Sequence, residues 1–526
     1  MAEPLDVLVV GAGPTGLALA AQLRAYGTRF RIIDRSLDRA RESRALAIQP
    51  RTLEALAGFG VTDELVARGN RAVQVRMHVP GRVLRLPLFD VGCADTPYPY
   101  ALFLSQAETE AVLGAHLAER GVAVERGTVL RDLSPQDKYV TCRLSHGGEE
   151  HEEVRARFVV GCDGAHSTVR GLAGIGFVGS TYPQRFLLAD LEVDGLERGA
   201  AHAYLSEAGM LFFFPLESPA TWRMLAMRPP EAPDEEVSLG QLQAITDRYA
   251  GDAASAASAA SAGSVGSAGE GLRLRDAVWM TEFRLQNRGA AHYRAGPVFL
   301  AGDAAHIHSP AGAQGMNTGI QDALNLGWKL ALTCRGSAPE ALLDTYESER
   351  APVGRNVLRF TDRAFTIATS RNPFIRRART RLAPRLMPLA LRFTTLRGRA
   401  FRTLSELAIH YRHSPLTEEG NRRPRGGPRA GDRLPDAPAG LQALASGPGY
   451  HVLLCGPRDA WESQDLAALG RSGLVTVHHL GDRGPWPGTA HGLVRPDGYL
   501  AYRAGGTDLS GLRHHLDRWL PAPAPN

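Results

Sequence analysis

VLVVGAGPTGLALA, residues 7–20, places glycines at 11, 13 and 16 between an apolar run and an Ala/Leu-rich run. Leu5–Val10 reads as a short buried strand, Leu17–Ala25 as a helix and Arg29–Ile33 as a second strand, so the glycines sit in the turn of a βαβ unit. Gly11 permits the tight turn, Gly13 lets backbone approach a pyrophosphate, and Gly16 lets helix and strand pack closely. The helix start, with Ala12, Pro14 and Thr15 around it, offers unpaired N–H groups and a partial positive charge to phosphates. Asp34 closes the second strand. A carboxylate there can accept two hydrogen bonds from a ribose diol and would repel a 2′-phosphate, so the nucleotide expected is FAD or NAD, not NADP.

The rest of the chain bounds what can be built around this unit. Its 526 residues exceed one core and suggest two to four domains. Composition is globular, with 44% apolar and 22% charged residues, and a net charge of +5 over this length is weak grounds for a nucleic-acid partner. No signal peptide and no apolar run of membrane-spanning length is visible. The five cysteines (93, 142, 162, 334 and 455) are scattered and include no CxxC pair, which points to a reduced, cytoplasmic protein without disulfides or zinc. His306 and His308 stand two apart without an acidic or cysteine partner nearby in sequence, so no metal site is expected.

Along the chain, Arg51–Gly58 and Gln106–Arg120 read as helices, and 73–100 as a Pro-rich excursion into another layer. From Phe186 to Thr281 the pattern is strand-rich, with apolar strands at Leu211–Leu216 and Trp222–Met227. The Ala/Ser/Gly run at 251–271 reads as a flexible surface insertion in preference to a helix. Rossmann-like character returns at Val298, and a long helix begins near Asn317. Residues 340–412 look helical, with ten arginines between 371 and 402 that form a solvated face or, as the alternative, a membrane-surface or partner-docking face. A Pro/Gly-rich linker, Arg422–Pro435, leads to a last α/β unit ending near Leu520.

Three further segments carry a resemblance: ARFVVGCDGAHSTVR (156–170), VFLAGDAAHIHSPAGAQGMNTGIQDALNLGWKL (298–330), and SRALAIQPRTLEAL (43–56) together with Gln106. The sequence resembles the class A flavoprotein aromatic hydroxylases, the phenol and para-hydroxybenzoate hydroxylase family, and most nearly its polyketide-tailoring and rifampicin monooxygenase branch. The resemblance implies an α/β architecture: a split Rossmann-type FAD-binding domain (1–180 and 282–412, the latter with its helical segment), a β-sheet substrate domain (181–281, joined by 73–100), and a C-terminal thioredoxin-like domain (422–526). The run LVRPDGYLAYR, 493–503, carries the last of these. With Cys455 as its one cysteine, dithiol chemistry is excluded there and a structural or dimer-related role is expected.

The resemblance also assigns roles. Asp163 helps hold FAD and a transient NAD(P)H, with Gly164 and Arg170 in the same motif. Gly302 and Asp303 meet the ribityl chain. Pro310, Gly312, Gly315, Met316 and Asn317 form the flavin loop, whose helix start can stabilise negative charge near N1 and O2 of reduced flavin. Arg44 and Gln106 contact the pyrophosphate and ribityl chain, and Arg35 and Leu130 complete the cofactor set. Ala311 and Ala313 depart from the family, which commonly has Thr or Pro and Gly there. The implied reaction is NADPH- or NADH-driven hydroxylation of an aromatic, usually phenolic, substrate by O2 through a flavin C4a-hydroperoxide. No second fingerprint for the nicotinamide cofactor is present, which leaves NADPH against NADH open. Phe212 and Phe214 are expected on the substrate side of their strand, and Arg223 near the flavin; no acid or base can be assigned. Baeyer–Villiger oxygen insertion, oxidative inactivation of an antibiotic, and a non-catalytic FAD-fold binding protein stay open, as does monomer against homodimer.

Overall fold

Val7, Leu8 and Val9 are fully buried because Leu5–Val10 is a central strand of a parallel sheet, between Phe30–Asp34 and Glu150–Gly161. A strand covered on both faces reads as a continuous apolar run, which explains why VLVV and FVV show no alternation. Val298–Leu300 adds a further parallel strand beyond Glu150–Gly161, so chain segments nearly 300 residues apart share one sheet. The structure is a computed structural model. It describes residues 3–39, 45–72, 74–79, 82–86, 93–147, 150–205, 209–232, 235–258, 271–308, 313–370, 372–378, 393–438, 440–461 and 473–521, with isolated positions between 379 and 392 and between 462 and 472.

Helix α1, Pro14–Ala25, leaves the first strand through the glycine turn with proline in its first turn. The close packing assigned to Gly16 has a measure here: a Cβ on that residue would lie 1.9 Å from the carbonyl oxygen of Gly11. No side chain fits at that contact.

The second sheet is eight-stranded and mostly antiparallel, with Phe177–Asp194, Trp222–Met227, Met210–Pro215 and Ala201–Leu205 at its centre and Arg273–Ala290 alongside. Val75–Val79 and Arg82–Leu86 extend it from the N-terminal part of the chain. Residues alternate between its faces with period two. Leu187, Ala189, Leu211, Phe213, Met224 and Ala226 pack under helix α2, Leu239–Ser258. Phe186, Leu188, Phe212, Phe214 and Leu225 point the other way. Helix α2 corrects one expectation. The chain stays helical to Ser258, well into the run read as a loose insertion, because Leu242, Ile245 and Tyr249 anchor it to the sheet and the alanines that follow extend it at little cost. Residues 259–270 lie outside the described residues.

Helix α3, Gly315–Cys334, and helix α4, Ala341–Thr369, follow the return to the first sheet. The C-terminal sheet runs Val475–Gly481, Tyr450–Cys455, Ala490–Val494, Leu500–Gly505, with the first two strands parallel and Ala490–Val494 antiparallel to both its neighbours, the thioredoxin-type order. It is not loosely tethered. Lys329 of α3, Glu349 of α4 and Arg495 form a fully buried cluster: Lys329 Nζ donates to Glu349 at 2.8 Å and Arg495 binds both Glu349 oxygens at 2.6 and 2.8 Å. Burial alone would raise the Glu349 pKa, but Arg495 and Lys329 hold it well below the carboxylate range. Burial lowers Lys329 to about 8, against the pull of Glu349. The Pro/Gly-rich 422–435 stretch is likewise pinned, since Arg433 is buried on Glu54 and Asp95.

Candidate active site

A cavity of about 380 Å3 opens where the first and second sheets meet. Its wall is assembled from distant chain segments: Gly13–Thr15 at the start of α1, Ala45 and Leu46, Gln106, Cys162 and Gly164 to His166, Asp303, Ile307 and His308, and Ala313 to Met316. The opposite wall comes from the second sheet: Leu188, Leu225, Phe283, Arg284, Leu285 and Gln286.

Close backbone approach brings these segments together. A Cβ on Gly319 in α3 would sit 2.6 Å from Thr15 Oγ1, so the fingerprint helix and α3 meet where only glycine fits. Gly302–Ala304 forms a short 3-10 turn that places Asp303 in the cavity. The turn is fixed from below by Asp322, which accepts from Gly302 N at 3.1 Å, contacts His306 Nε2 at 2.6 Å and accepts from Arg350 Nε at 2.7 Å. Burial would raise the pKa of Asp322; Arg350 and His306 overcome it and hold the carboxyl below its ordinary value. His306 is thus a structural partner of Asp322. Among the described residues no group of three or more His, Cys, Asp and Glu is suited to a metal.

Gly315, Met316 and Asn317 are the first turn of α3, whose amides have no acceptor within the helix. They present a partial positive charge to the cavity. Asn317 is fully buried and fixes this end: its Nδ2 donates to Ala47 O at 2.9 Å and Ala313 O at 2.8 Å, and its Oδ1 accepts from Gln49 N at 2.8 Å. Ala313, just before the helix, has φ +52, the left-handed region that favours glycine.

The remaining expected cofactor residues separate into distinct groups. Gln106 lines the cavity and donates from Nε2 to Glu110 at 2.8 Å. Asp34 accepts from Ala12 N at 2.6 Å and Ser36 N at 2.8 Å, so it holds the glycine turn from outside the cavity lining. Arg35 is exposed beside it, and Leu130 is buried in the core of the first sheet. Asp163 turns away from the cavity: it accepts from Ser167 Oγ, Thr168 N and Val169 N, capping the Thr168–Leu172 helix, while its neighbours Cys162 and Gly164 line the wall. Arg170 donates to Ala304 O at 2.9 Å and joins this motif to the Asp303 turn. Arg44, Pro310, Ala311 and Gly312 lie outside the described residues.

On the opposite wall, Phe212 and Phe214 share a face with the cavity residues Leu188 and Leu225, and Phe214 stacks near Phe103 at 5.8 Å. Arg223 shares that face and stands one residue behind the lining, against Ala45. It is fully buried in a bidentate pair with Asp190 at 2.6 and 2.7 Å, and its remaining arm donates to Ala45 O at 2.8 Å. The sequence reading missed Leu188, Phe283, Arg284, Leu285, Gln286 and His166. The 273–290 strand lacks a motif, and its facing could not be read without its pairing to Phe177–Asp194.

The donor set fits FAD. A glycine turn with an open α-carbon at Gly13, a carboxylate at Asp303 and a helix start at Gly315 line one cavity, and these are the groups that a diphosphate, a polyol chain and an anionic ring edge call for.

Comparison with known proteins agrees. Residues 4–361 match the FAD binding domain family model and residues 427–523 the aromatic-ring hydroxylase C-terminal model. The chain belongs to the FAD-dependent aromatic-ring hydroxylases. It is 36% identical to 6-methylpretetramide 4-monooxygenase of Streptomyces rimosus over 97% of this chain and 93% of that one. It is 36% identical to rifampicin monooxygenase of Streptomyces venezuelae over 67% of this chain and 69% of that protein. Among solved structures, the anhydrotetracycline hydroxylase OxyS of Streptomyces rimosus superposes with a TM-score of 0.76 at 30% identity, covering 99% of this chain and 100% of that one. This hydroxylase is therefore an FAD enzyme driven by NAD(P)H, with the split nucleotide-binding architecture and second, substrate-side sheet expected from its sequence.

Proposed function

We propose that the enzyme hydroxylates a large, fused-ring aromatic substrate of the polyketide type, held between the start of α3 and the apolar face of the second sheet. The observation that carries this reading is the wall of Leu188, Leu225, Phe283 and Leu285, which continues into Phe212 and Phe214 and offers area well beyond one phenol ring. The relatives named for tetracycline intermediates align with nearly the whole chain, whereas the rifampicin enzyme aligns with two thirds of it, which favours tailoring over antibiotic inactivation.

FAD, when bound, supplies the acceptance of a hydride and the activation of O2. The chain's own residues do the rest. Gly13–Thr15 and the α1 start receive the diphosphate, and Asp303 the ribityl hydroxyls. The amides of Gly315 to Asn317 meet negative charge on the ring edge. The apolar wall excludes water from the reacting face. His166, Arg284 and Gln286 form a polar side of the cavity through which an anionic nicotinamide donor can be received. The scattered free cysteines favour a reducing, cytoplasmic compartment, and monomer and homodimer both stand as the enzyme's oligomeric state.

Oxidation of NADPH or NADH is measured against phenols and fused-ring polyketides, with product mass. A gain of one oxygen atom coupled to substrate-stimulated oxidation is expected; the position of that oxygen separates hydroxylation from Baeyer–Villiger insertion. A solved structure described as the Diels-Alderase PyrE3, with a TM-score of 0.68 at 26% identity, favours keeping one second reading, the fold used without oxygen transfer. Anaerobic titration with NADPH decides it: a yellow chromophore that never bleaches, with or without aromatic ligand, would sink the oxygenase reading.

A further inference from the structure

The stretch between Asp362 and Glu406 contains eleven arginines and no acidic residue. It carries more positive charge than the whole chain's net +5, so the rest of the chain is net negative. Its described residues also expose apolar side chains. Among the described residues, fifteen large apolar side chains are exposed, and eight of them fall in this stretch, from Ile367 to Leu396. Phe374 is 80% exposed and Phe393 62%, while Leu382, Leu386 and Leu389 are each 53% exposed. Arg377, Arg385 and Arg399 are exposed among them.

We propose that this segment seats the enzyme on an anionic phospholipid surface. Apolar side chains that enter the acyl boundary, interleaved with arginines that meet phosphate headgroups, are what interfacial binding requires. The charge selects the occupant. A second copy would bring the exposed Arg377, Arg385 and Arg399 against their own like charges, and a neutral apolar partner would offer those guanidinium groups no anion. No helix among the described residues is long and apolar enough to cross a membrane, so the contact is peripheral.

The segment is anchored at both ends beside the active site. Phe365 is buried against Tyr182 and Phe186, with ring centroids 4.4 and 5.5 Å away. At the other end Phe401 is fully buried in a cluster with Leu46 and Phe103, and Arg402 binds both oxygens of Asp95 at 2.7 and 2.9 Å. Gln314 at the start of α3 donates to Thr403 O at 3.3 Å. A bilayer met by this segment would therefore lie next to the cavity, where a lipophilic aromatic substrate could pass from lipid to enzyme.

The test is co-sedimentation of the FAD-loaded, full-length enzyme with vesicles of phosphatidylcholine alone and of phosphatidylcholine mixed with phosphatidylglycerol. Partitioning onto the anionic vesicles about tenfold or more above the neutral ones, reversed by salt, is expected. Phe374→Ser combined with Leu386→Ser and Phe393→Ser should abolish it while FAD content and NADPH oxidation persist. Arg377→Gln with Arg399→Gln should weaken it without touching the apolar residues. No preference for anionic vesicles, or binding that survives both variants, overturns the proposal. So does recovery of the segment's binding on an acidic polypeptide such as polyglutamate with none on vesicles.

Discussion

Gln49 donates its backbone N–H to Asn317 Oδ1 at 2.8 Å, joining two residues 268 positions apart. Through this bond, and through the one that Asn317 Nδ2 donates to Ala47 O, the start of α3 is fastened to the strand that precedes Pro50, while the second Nδ2 bond ties it to Ala313 O in the preceding loop. Ala47, Gln49 and Asn317 are buried, so their groups cannot turn to water if a partner goes.

Asn317→Leu should therefore cost more than its change in polarity suggests. It strands one buried donor, the Gln49 N–H, and one buried acceptor, the Ala47 carbonyl, at about 1–3 kcal/mol for each group that finds no substitute, and frees the helix start that faces the cavity. Thermal melting should fall by several degrees, and FAD affinity, read by fluorescence titration of the deflavinated protein, should drop. A variant with unchanged melting and unchanged affinity would falsify the fastening role.

Gly319 and Thr15 are tested as a pair. Alanine at 319 brings a Cβ to 2.6 Å from Thr15 Oγ1 and 3.0 Å from the Gly302 Cα. Gly319→Ala should lose FAD during purification. Adding Thr15→Ala removes the first clash and leaves the second, so flavin content should recover in part. A double variant no better than the single would mean that the approach of α1 to α3 is not what the glycine protects.

How much of this was legible follows from the reach of each signal. The fingerprint was readable because Gly11, Gly13, Gly16 and Asp34 act within one βαβ unit. Asp303 and the α3 start were readable because their segment is long and family-like. Asp163 shows what a motif leaves open: a carboxylate at a strand end can face a ligand or cap the next helix, and the Ser167 hydroxyl and the Thr168 and Val169 amides claim it through a turn that the motif alone does not draw. The setting of Arg223 was hidden for the same reason. Its partner Asp190 is a neighbour only across strand pairing, a relation of 33 residues that no local pattern records. The Leu285 and Gln286 wall was invisible because strand facing depends on register.

Arg223 and Asp190 form a pair that breaks unevenly. Both side chains are 1% exposed. Asp190→Asn leaves a buried guanidinium without its counter-charge and should destabilise by about 3–5 kcal/mol. Replacing both, Asp190→Leu with Arg223→Met, removes the unpaired charge and should recover much of that loss. In the double variant, the KM for aromatic substrate should stay near that of the parent, since Arg223 supports the wall from behind. A KM raised strongly with stability restored would return Arg223 to the substrate.

Glu406 makes stability depend on pH. It is buried on α3, accepting from Thr318 Oγ1 at 3.1 Å and from Gln321 Nε2. Burial pushes its carboxyl up to about 7 from 4.5, with Arg350 and the two hydrogen bonds pulling the other way and Asp322 adding to the rise. The folded chain thus holds this proton more tightly than the unfolded one. The stability it contributes is complete below about 4.5 and is lost as pH rises through about 7, a span worth about 3 kcal/mol. Glu406→Gln keeps the neutral form at all pH. Denaturant unfolding should find the variant gaining on the parent as pH rises through this window, and a constant difference across it would refute the assignment.

Ala313 tests whether the loop before α3 is strained. At φ +52 an alanine sits in the left-handed region, which costs an L-residue about 1–2 kcal/mol, while its carbonyl accepts from Asn317 Nδ2 at 2.8 Å and so must keep this conformation. Ala313→Gly removes the Cβ penalty but loosens the unfolded chain, which returns about 0.5–1 kcal/mol. The balance favours the glycine by up to about 1.5 kcal/mol. The variant should melt at an equal or slightly higher temperature with FAD fully retained, in contrast to alanine substitutions at Gly16 or Gly319. A clear loss of stability would show that the Ala313 methyl group, packed in the cluster of Leu46, Phe103 and Phe401, contributes more by its burial than its backbone conformation costs.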